Sequence, residues 1–544
     1  MLRIAGGRVY DPANGVAGEV RDVCLGDDGK VVDDVPAHAP RIDARSMVVM
    51  PGGVDIHAHI AGPKVNAARR LAPEEHRGDV ADRTAVMRSG TGGTVPSTFV
   101  TGYRYALLGY TTVVEAAAPP LAARHVLSEL RDTPMIDAAF LVLMGNNLAL
   151  FDLIRRDPAR VRDAIAWWLE ATGGYGVKLV NPGGVERWKH GNGNVTSLDD
   201  DVLGITPRRV LDAIAGAVHD LGLPHPVHVH CNNLGVAGNW RTTLDTLRTL
   251  EGRRAHLAHL QFHAYGGRPG GRPRSRAPDL AEYLGAHPEL SADVGQVMFG
   301  PATTMTADAP VSALLRDVTG GKWVNADTEV ETGCGIVPFT YREKNYVHAL
   351  QWGIGLELFL LNRDPWRIVL STDHPNGGSF LSYPKLIRLL MDREFRNEQL
   401  RRANKRAIRS TVLLDDLERE YTLEEIAIVT RAGPARLLGL RDKGHLGVGA
   451  DADVTIYDER EDREAMFATP RHVIKGGRVV VREGELVEAI PGDLLRVSAP
   501  YDPAVDDVLR DRFEERYSVQ FDSYPVREPW LLEPARRVEA GRPA

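Results

Sequence analysis

The sequence predicts an α/β protein: a TIM-like (β/α)8 barrel with a small β-sandwich domain formed from both termini. Three observations predict it. Through the middle of the chain, short β-type runs ending in polar residues alternate with helical segments, the pattern of a parallel sheet covered by helices. The two ends share a strand-Gly-Gly-strand wording. At 544 residues the chain exceeds one ordinary small domain yet suits a barrel with insertions.

The first element is the N-terminal β-rich segment. Arg3-Ile4-Ala5 precedes Gly6-Gly7 and Arg8-Val9-Tyr10 precedes Asp11-Pro12, which reads as short strands broken by turns, with an apolar stretch at Met47 to Met50. Its counterpart lies far downstream. Gly449-Ala450-Asp451-Ala452-Asp453 leads into Val454-Thr455-Ile456-Tyr457, and Val473-Ile474-Lys475-Gly476-Gly477-Arg478-Val479 echoes the opening. The expected organisation is therefore 1–50 and 441–490 as the two parts of the β-sandwich and 51–440 as the barrel. Residues 491–544, rich in charge and proline, are expected to form a C-terminal extension that wraps the surface or binds partners.

Within the barrel, helical spacing is clearest at Val161 to Leu169 and Pro207 to Leu221. Five strand ends stand out: Val54 to His59, Gly176 to Val180, Val227 to His230, His256 to His259 and Ile368 to Asp373. All five carry residues that bind metals or protons. Barrel strands present such residues at their C-terminal ends, so these scattered groups are expected to meet at one mouth.

Composition narrows the function. Hydrophobic residues make up 43% and charged residues 26%, close to globular averages. A net charge of -7 gives no basic footprint for a phosphate backbone, so nucleic acid is not the expected partner. No apolar run approaches the roughly 20 residues of a spanning helix, and the opening lacks a signal-peptide layout, so a cytoplasmic protein with no membrane role is expected. The three cysteines, Cys24, Cys231 and Cys334, are far apart, which leaves histidine and oxygen as the metal donors. Cys334, between Gly333 and Gly335, reads as packing or as a turn near substrate.

His57 and His59 stand two apart on a strand, so they project from one side and can reach one ion together. Two polar strand-end histidines would look the same, but the turn-then-strand lead-in Met50 to Asp55 delivers this pair where a barrel begins. Lys178 sits between Val177 and Leu179, where burial lowers an ammonium pKa. A neutral amine there can add carbon dioxide to give a carbamate able to bridge two cations. The alternative, a lysine paired with an acid, is displaced by the two histidine strands that follow. In His228-Val229-His230 the terminal residue is chosen as ligand, leaving His228 deeper as a core or supporting histidine. By the same logic His259 is preferred over His256, and His263 falls beyond the strand as a substrate contact. Asp373 ends an apolar strand before a sharp loop, placed to ligate a metal and shuttle a proton.

The order His57-x-His59, Lys178, His230, His259, Asp373 resembles the amidohydrolase superfamily with a carboxylated lysine, which includes dihydroorotases, hydantoinases and ureases. Several stretches are similar to a narrower group, the hydrolase-type subunits of formylmethanofuran dehydrogenases and of their bacterial formyltransferase/hydrolase relatives. These are Val54 to Gly62, Lys178 to Gly184, His230 to Gly235, His259 to Gly266 and Ser371 to Gly378. The resemblance implies two divalent metal ions, with zinc suiting the donors, and N6-carboxylysine at Lys178. It implies cleavage of the N-formyl amide of a formylated methanofuran-type carrier to formate and free amine, or the reverse condensation, beside the other subunits of such a complex. Asn233, Gln261, His263, His374 and Asn376, within or beside the quoted motifs, are the expected substrate contacts. Arginine-rich composition tilts the expectation toward the bacterial, methylotrophic version. Two other readings stay open here: a hydantoinase- or dihydroorotase-like cyclic-amide hydrolase, against which Asn232-Asn233 speaks, and a non-catalytic assembly subunit docking through the tail and the loop Arg268 to Arg276.

Overall fold

The computed structural model describes residues 1–325, 335–413, 417–526 and 535–540. Cys334 and part of the segment Asp522 to Trp530 lie outside the described residues. Among the described residues the central sheet has ten parallel strands, eight of which run in chain order: β1 (Gly53–Ala58), β2 (Tyr110–Ala118), β3 (Asp137–Leu143), β4 (Gly176–Val180), β5 (Val227–His230), β6 (Ala255–Leu257), β7 (Leu290–Asp293) and β8 (Ile368–Val369). Every residue of these eight strands is buried, as expected of parallel strands covered on both faces. The curled sheet is drawn together at its top, where Ala58 bridges to His374 and the His59 amide donates to the His374 carbonyl at 2.7 Å.

Local chemistry explains the helices between the strands. Pro207–Leu221 starts with Pro at its first turn and a Thr206 side chain that accepts from the Arg209 amide at 3.2 Å, and it stops at Gly222 in the left-handed region. Val161–Thr172 stops the same way at Gly173. Between β7 and β8 the chain makes a long excursion. An antiparallel pair, Gly300–Thr306 with Gly335–Tyr341, is followed by the helix Tyr346–Leu361, and the helix Ala309–Thr319 lies beside the pair.

Among the described residues the smaller sheet has nine strands and mixes both ends of the chain. Met47–Pro51 pairs on one side with Leu2–Asp11 and on the other, antiparallel, with Val454–Asp458. The two Gly-Gly steps fold differently. Gly476-Gly477, at φ 54° and 78°, makes the two-residue hairpin between His472–Lys475 and Arg478–Arg482. Gly6-Gly7, read from sequence as a turn, is instead a bulge inside one continuous strand, Leu2–Asp11. That strand keeps its course because it has partners on both sides of the bulge: Arg41–Asp43 along Arg3 to Ala5, and Met47–Pro51 along Arg8 and Val9.

The two sheets are joined by a buried ion network. Lys443 contacts Asp137 at the foot of β3 and pairs with Asp451 at 2.8 Å and Asp453 at 3.2 Å, and Lys475 reaches Asp137 at 2.7 Å. The Gly-Ala-Asp-Ala-Asp segment is thus a structural clamp whose carboxylates are neutralised by lysines. The stretch expected as a C-terminal extension enters the central sheet. Leu494–Ser498 lies parallel to β3, with Ala138 opposite Leu494, and Ala535–Glu539 continues the sheet. The helix Val505–Arg516 then covers the barrel helices, with Trp167 stacked on Phe521 and edge-on to Phe513. Among the described residues no helix is long and apolar enough to cross a membrane.

Candidate metal centre

At the C-terminal ends of the strands lies a cavity of about 290 Å³. His57, His59, Lys178, His230, His259 and Asp373 all line it. They come from five strand ends, and strand geometry puts each there: His57 on β1, Lys178 on β4, His230 ending β5, and His59, His259 and Asp373 just past β1, β6 and β8. His57 Nε2 and His59 Nε2 converge on one oxygen, Asp373 Oδ1, at 3.1 and 3.2 Å. Burial raises the Asp373 carboxyl, but the neighbouring His57 and His259 outweigh it and hold the group well below its ordinary value.

Lys178 is 1% exposed and its Nζ has no hydrogen-bond partner. Burial lowers its ammonium to about 7, against Asp293 and Asp373, which pull it up. An orphaned amine deep in a protein needs a compensating partner. His259 Nδ1 is likewise buried without a partner. His230, His259 and His263 bring ring nitrogens within 4.8 Å of one another, as do His57, His259 and Asp373 with their ligand atoms. This donor set of imidazoles, a carboxylate and a buried amine lowered toward neutrality fits divalent metal ions.

Two residues here hold strained backbone. His259 at φ 34° and Asp373 at φ 48° lie in the left-handed region. They are packed against Gly295, itself at φ +64°, where a Cβ would stand 2.2 Å from the His259 Cβ. Only glycine lets these two strand ends approach.

Around the six residues stands a shell of carboxylates that sequence reasoning missed. Asp293, ending β7, lies 3.1 Å from His57 Nδ1 and 3.2 Å from His256 Nε2, and accepts from the His259 amide at 3.1 Å and Ser371 Oγ at 2.5 Å. Glu115 on β2 lies 3.0 Å from His59 Nδ1 and 2.9 Å from Lys64, and accepts from the Ile60 and Ala61 amides. Burial alone would raise Glu115, yet Lys64 and His59 bring it down to about 2. Asp308 lies 3.2 Å from His230 Nε2. A signal existed for two of them: Asp293 ends its strand as Asp373 does, and Glu115 is a lone charge in an apolar run. Asp308, before a helix, reads from sequence only as a cap.

His228 sits below the cavity, 3.2 Å from His57 Nδ1 and 3.0 Å from His225. Of the five expected substrate contacts, Asn376 lines the cavity, donating to Asp373 Oδ1 at 2.8 Å. The other four do not line it. Gln261 Oε1 accepts from the Val297 amide at 3.2 Å, His374 Nδ1 from the Phe380 amide at 3.3 Å, and Asn233 reaches Thr242 at 3.5 Å. His263 is buried behind His230 and His259, with ring centroids 5.2 and 5.3 Å away. The short 3-10 turn Leu260–His263 follows His259 directly and all four of its residues are buried, so residues just past this strand end are not solvent-facing. In the loop Arg268 to Arg276, Arg272 lies over the Tyr346 ring at 5.0 Å and Arg276 over Trp240 at 4.7 Å.

Comparison with known proteins agrees with this geometry. The amidohydrolase family model matches residues 41–481. Protein FwdA of Methanocaldococcus jannaschii is 44% identical over 552 residues, 97% of either chain. A second relative, from the formyltransferase/hydrolase complex Fhc of Methylorubrum extorquens, is 40% identical over 97% of this chain and 96% of its own. The crystal structure of the FhcABCD complex from Methylorubrum extorquens with methylofuran contains a chain that superposes with a TM-score of 0.91 at 40% identity, covering 99% of this chain and 100% of that one.

Proposed function

The chain belongs to the amidohydrolase family, and we propose that it hydrolyses the N-formyl amide of a formylated methanofuran-type carrier to formate and free amine. It does so as the hydrolase subunit of a larger complex, and the reverse condensation is the same chemistry run backwards. The observation that carries this reading is the gathering of His57, His59, Lys178, His230, His259 and Asp373 around one cavity. The substrate class is supported by relatives that run nearly the whole length of the chain, one of them from a complex crystallised with methylofuran.

The six residues would hold two divalent ions, zinc by their nitrogen and oxygen donors, and the orphaned Lys178 Nζ is the site for N6-carboxylation. There the neutral amine forms a bond to the carbon of carbon dioxide and releases one proton, becoming an anionic oxygen ligand. Bound ions of this kind lower the pKa of water and polarise a carbonyl oxygen. Asp373, kept ionised, accepts the proton of the attacking water and returns it to the leaving nitrogen. Asn376 holds that carboxylate in place at 2.8 Å. Phe262, Phe339, Tyr341, Val311 and Leu315 line the cavity and keep bulk water from the reacting carbonyl.

The test is formate release from N-formylated carrier by the purified native complex, comparing wild type with Asp373→Asn. Loss of release with metal content retained is expected. Unchanged release would move the chemistry elsewhere in the complex and leave this chain as a scaffold.

A further inference from the structure

The helix Ala309–Thr319 begins directly after Asp308, yet the Asp308 side chain does not cap it. A carboxylate at that position ordinarily accepts from the first-turn amides. Here the fully buried carboxylate is turned to the metal centre: Oδ2 lies 3.2 Å from His230 Nε2, and Oδ1 accepts from Asn181 Nδ2 at 2.9 Å. Asn181 Oδ1 in turn accepts from Asn232 Nδ2 at 2.7 Å, so the residues following β4 and β5 are tied to the start of this helix. The same helix is the outer wall of the cavity, to which it contributes Val311, Leu314, Leu315 and Val318. Leu314 and Val318 are 55% and 76% exposed, so the wall carries apolar side chains out to the mouth.

We infer that Asp308 is a positioning residue that keeps the His230 proton on Nε2, so that Nδ1 is offered to a metal ion, and that latches the cavity wall to this ligand. A carboxylate only accepts, so the single N–H of a neutral His230 points at it and the lone pair lies on Nδ1. Metal-binding histidines commonly give their second ring nitrogen to a carboxylate in this way. Because the carboxylate belongs to the residue that opens the wall helix, metal uptake at His230 and the order of that helix are coupled. The inference rests on the reading of His230 as a metal ligand.

The test titrates zinc on the full-length chain against a chromophoric chelator and follows amide hydrogen exchange in 309–319, for wild type, Asp308→Ala and Asp308→Asn. In Asp308→Ala, one of two zinc equivalents should weaken by about 10- to 100-fold while the other, held by His57, His59 and Asp373, is unmoved. Asp308→Asn, which preserves volume and so serves if the alanine variant fails to fold, should show the same asymmetry at smaller size. Zinc should slow exchange of the helix in wild type and not in Asp308→Ala. Two equivalents held at wild-type affinity, or both weakened alike, would overturn the inference. A wild-type chain that takes up no zinc would instead bring down the metal-centre reading beneath it.

Discussion

Replacing Asp293 by asparagine should weaken the metal position served by His57 while leaving a folded barrel. Asp293 Oδ1 faces His57 Nδ1 at 3.1 Å and His256 Nε2 at 3.2 Å, while Oδ2 accepts from Ser371 Oγ at 2.5 Å and the His259 amide at 3.1 Å. An asparagine that keeps its oxygen toward Ser371 and the amide turns an NH2 group on the two imidazoles. His57 must then accept at Nδ1 and carry its proton on Nε2, the nitrogen that faces Asp373 at 3.1 Å. A protonated nitrogen cannot ligate. Loss of such a carboxylate partner lowers metal affinity about 10- to 100-fold, roughly 1.4 to 2.7 kcal/mol. The two charge-assisted hydrogen bonds to the imidazoles become neutral ones, at a loss of about 1–1.5 kcal/mol each, so the metal-free fold should lose about 2–3 kcal/mol. The assay is metal content during chelator titration, with thermal unfolding of the metal-free protein beside it. An Asp293→Asn chain with wild-type metal affinity would refute the argument that this carboxylate sets the His57 tautomer.

Two further predictions concern the surrounding structure. Burial pushes the Glu357 carboxyl up to about 7 from an ordinary 4.5, against hydrogen bonds from Ser275 and Val412 that lower it. A raised folded-state value means its contribution is fully present below about pH 4.5 and is lost as pH rises toward 7. Glu357→Gln should therefore gain on wild type by about 3 kcal/mol between those limits and then level off, and a pH-independent gap in urea midpoints would count against it. Trp167 is 4% exposed, with Phe521 stacked at 4.9 Å and Phe513 edge-on at 5.8 Å. Trp167→Ala should cost about 3–5 kcal/mol and open the segment 517–526 to limited proteolysis; a protease-resistant tail would show that it is anchored elsewhere.

The sequence by itself could bring His57, His59, Lys178, His230, His259 and Asp373 to one cavity because each stands at or near the end of a short apolar run, and parallel barrel strands all end at one mouth. Alternation of strands and helices likewise carried the central sheet. What it could not supply was the pairing of groups distant along the chain. His59 meets Glu115 across 56 residues, His230 meets Asp308 across 78, and His57 meets Asp293 across 236. No local pattern encodes those partners; they are products of sheet closure and of the excursion between β7 and β8. The same limit explains the two Gly-Gly steps, where identical wording became a hairpin at Gly476-Gly477 and a bulge at Gly6-Gly7. It explains as well the strand Leu494–Ser498, whose place beside β3 depends on an edge that exists only once the barrel has folded. Residue type and spacing determined which groups could do chemistry; tertiary packing decided which carboxylate each of them faces, and thereby which ring nitrogen is left free to act.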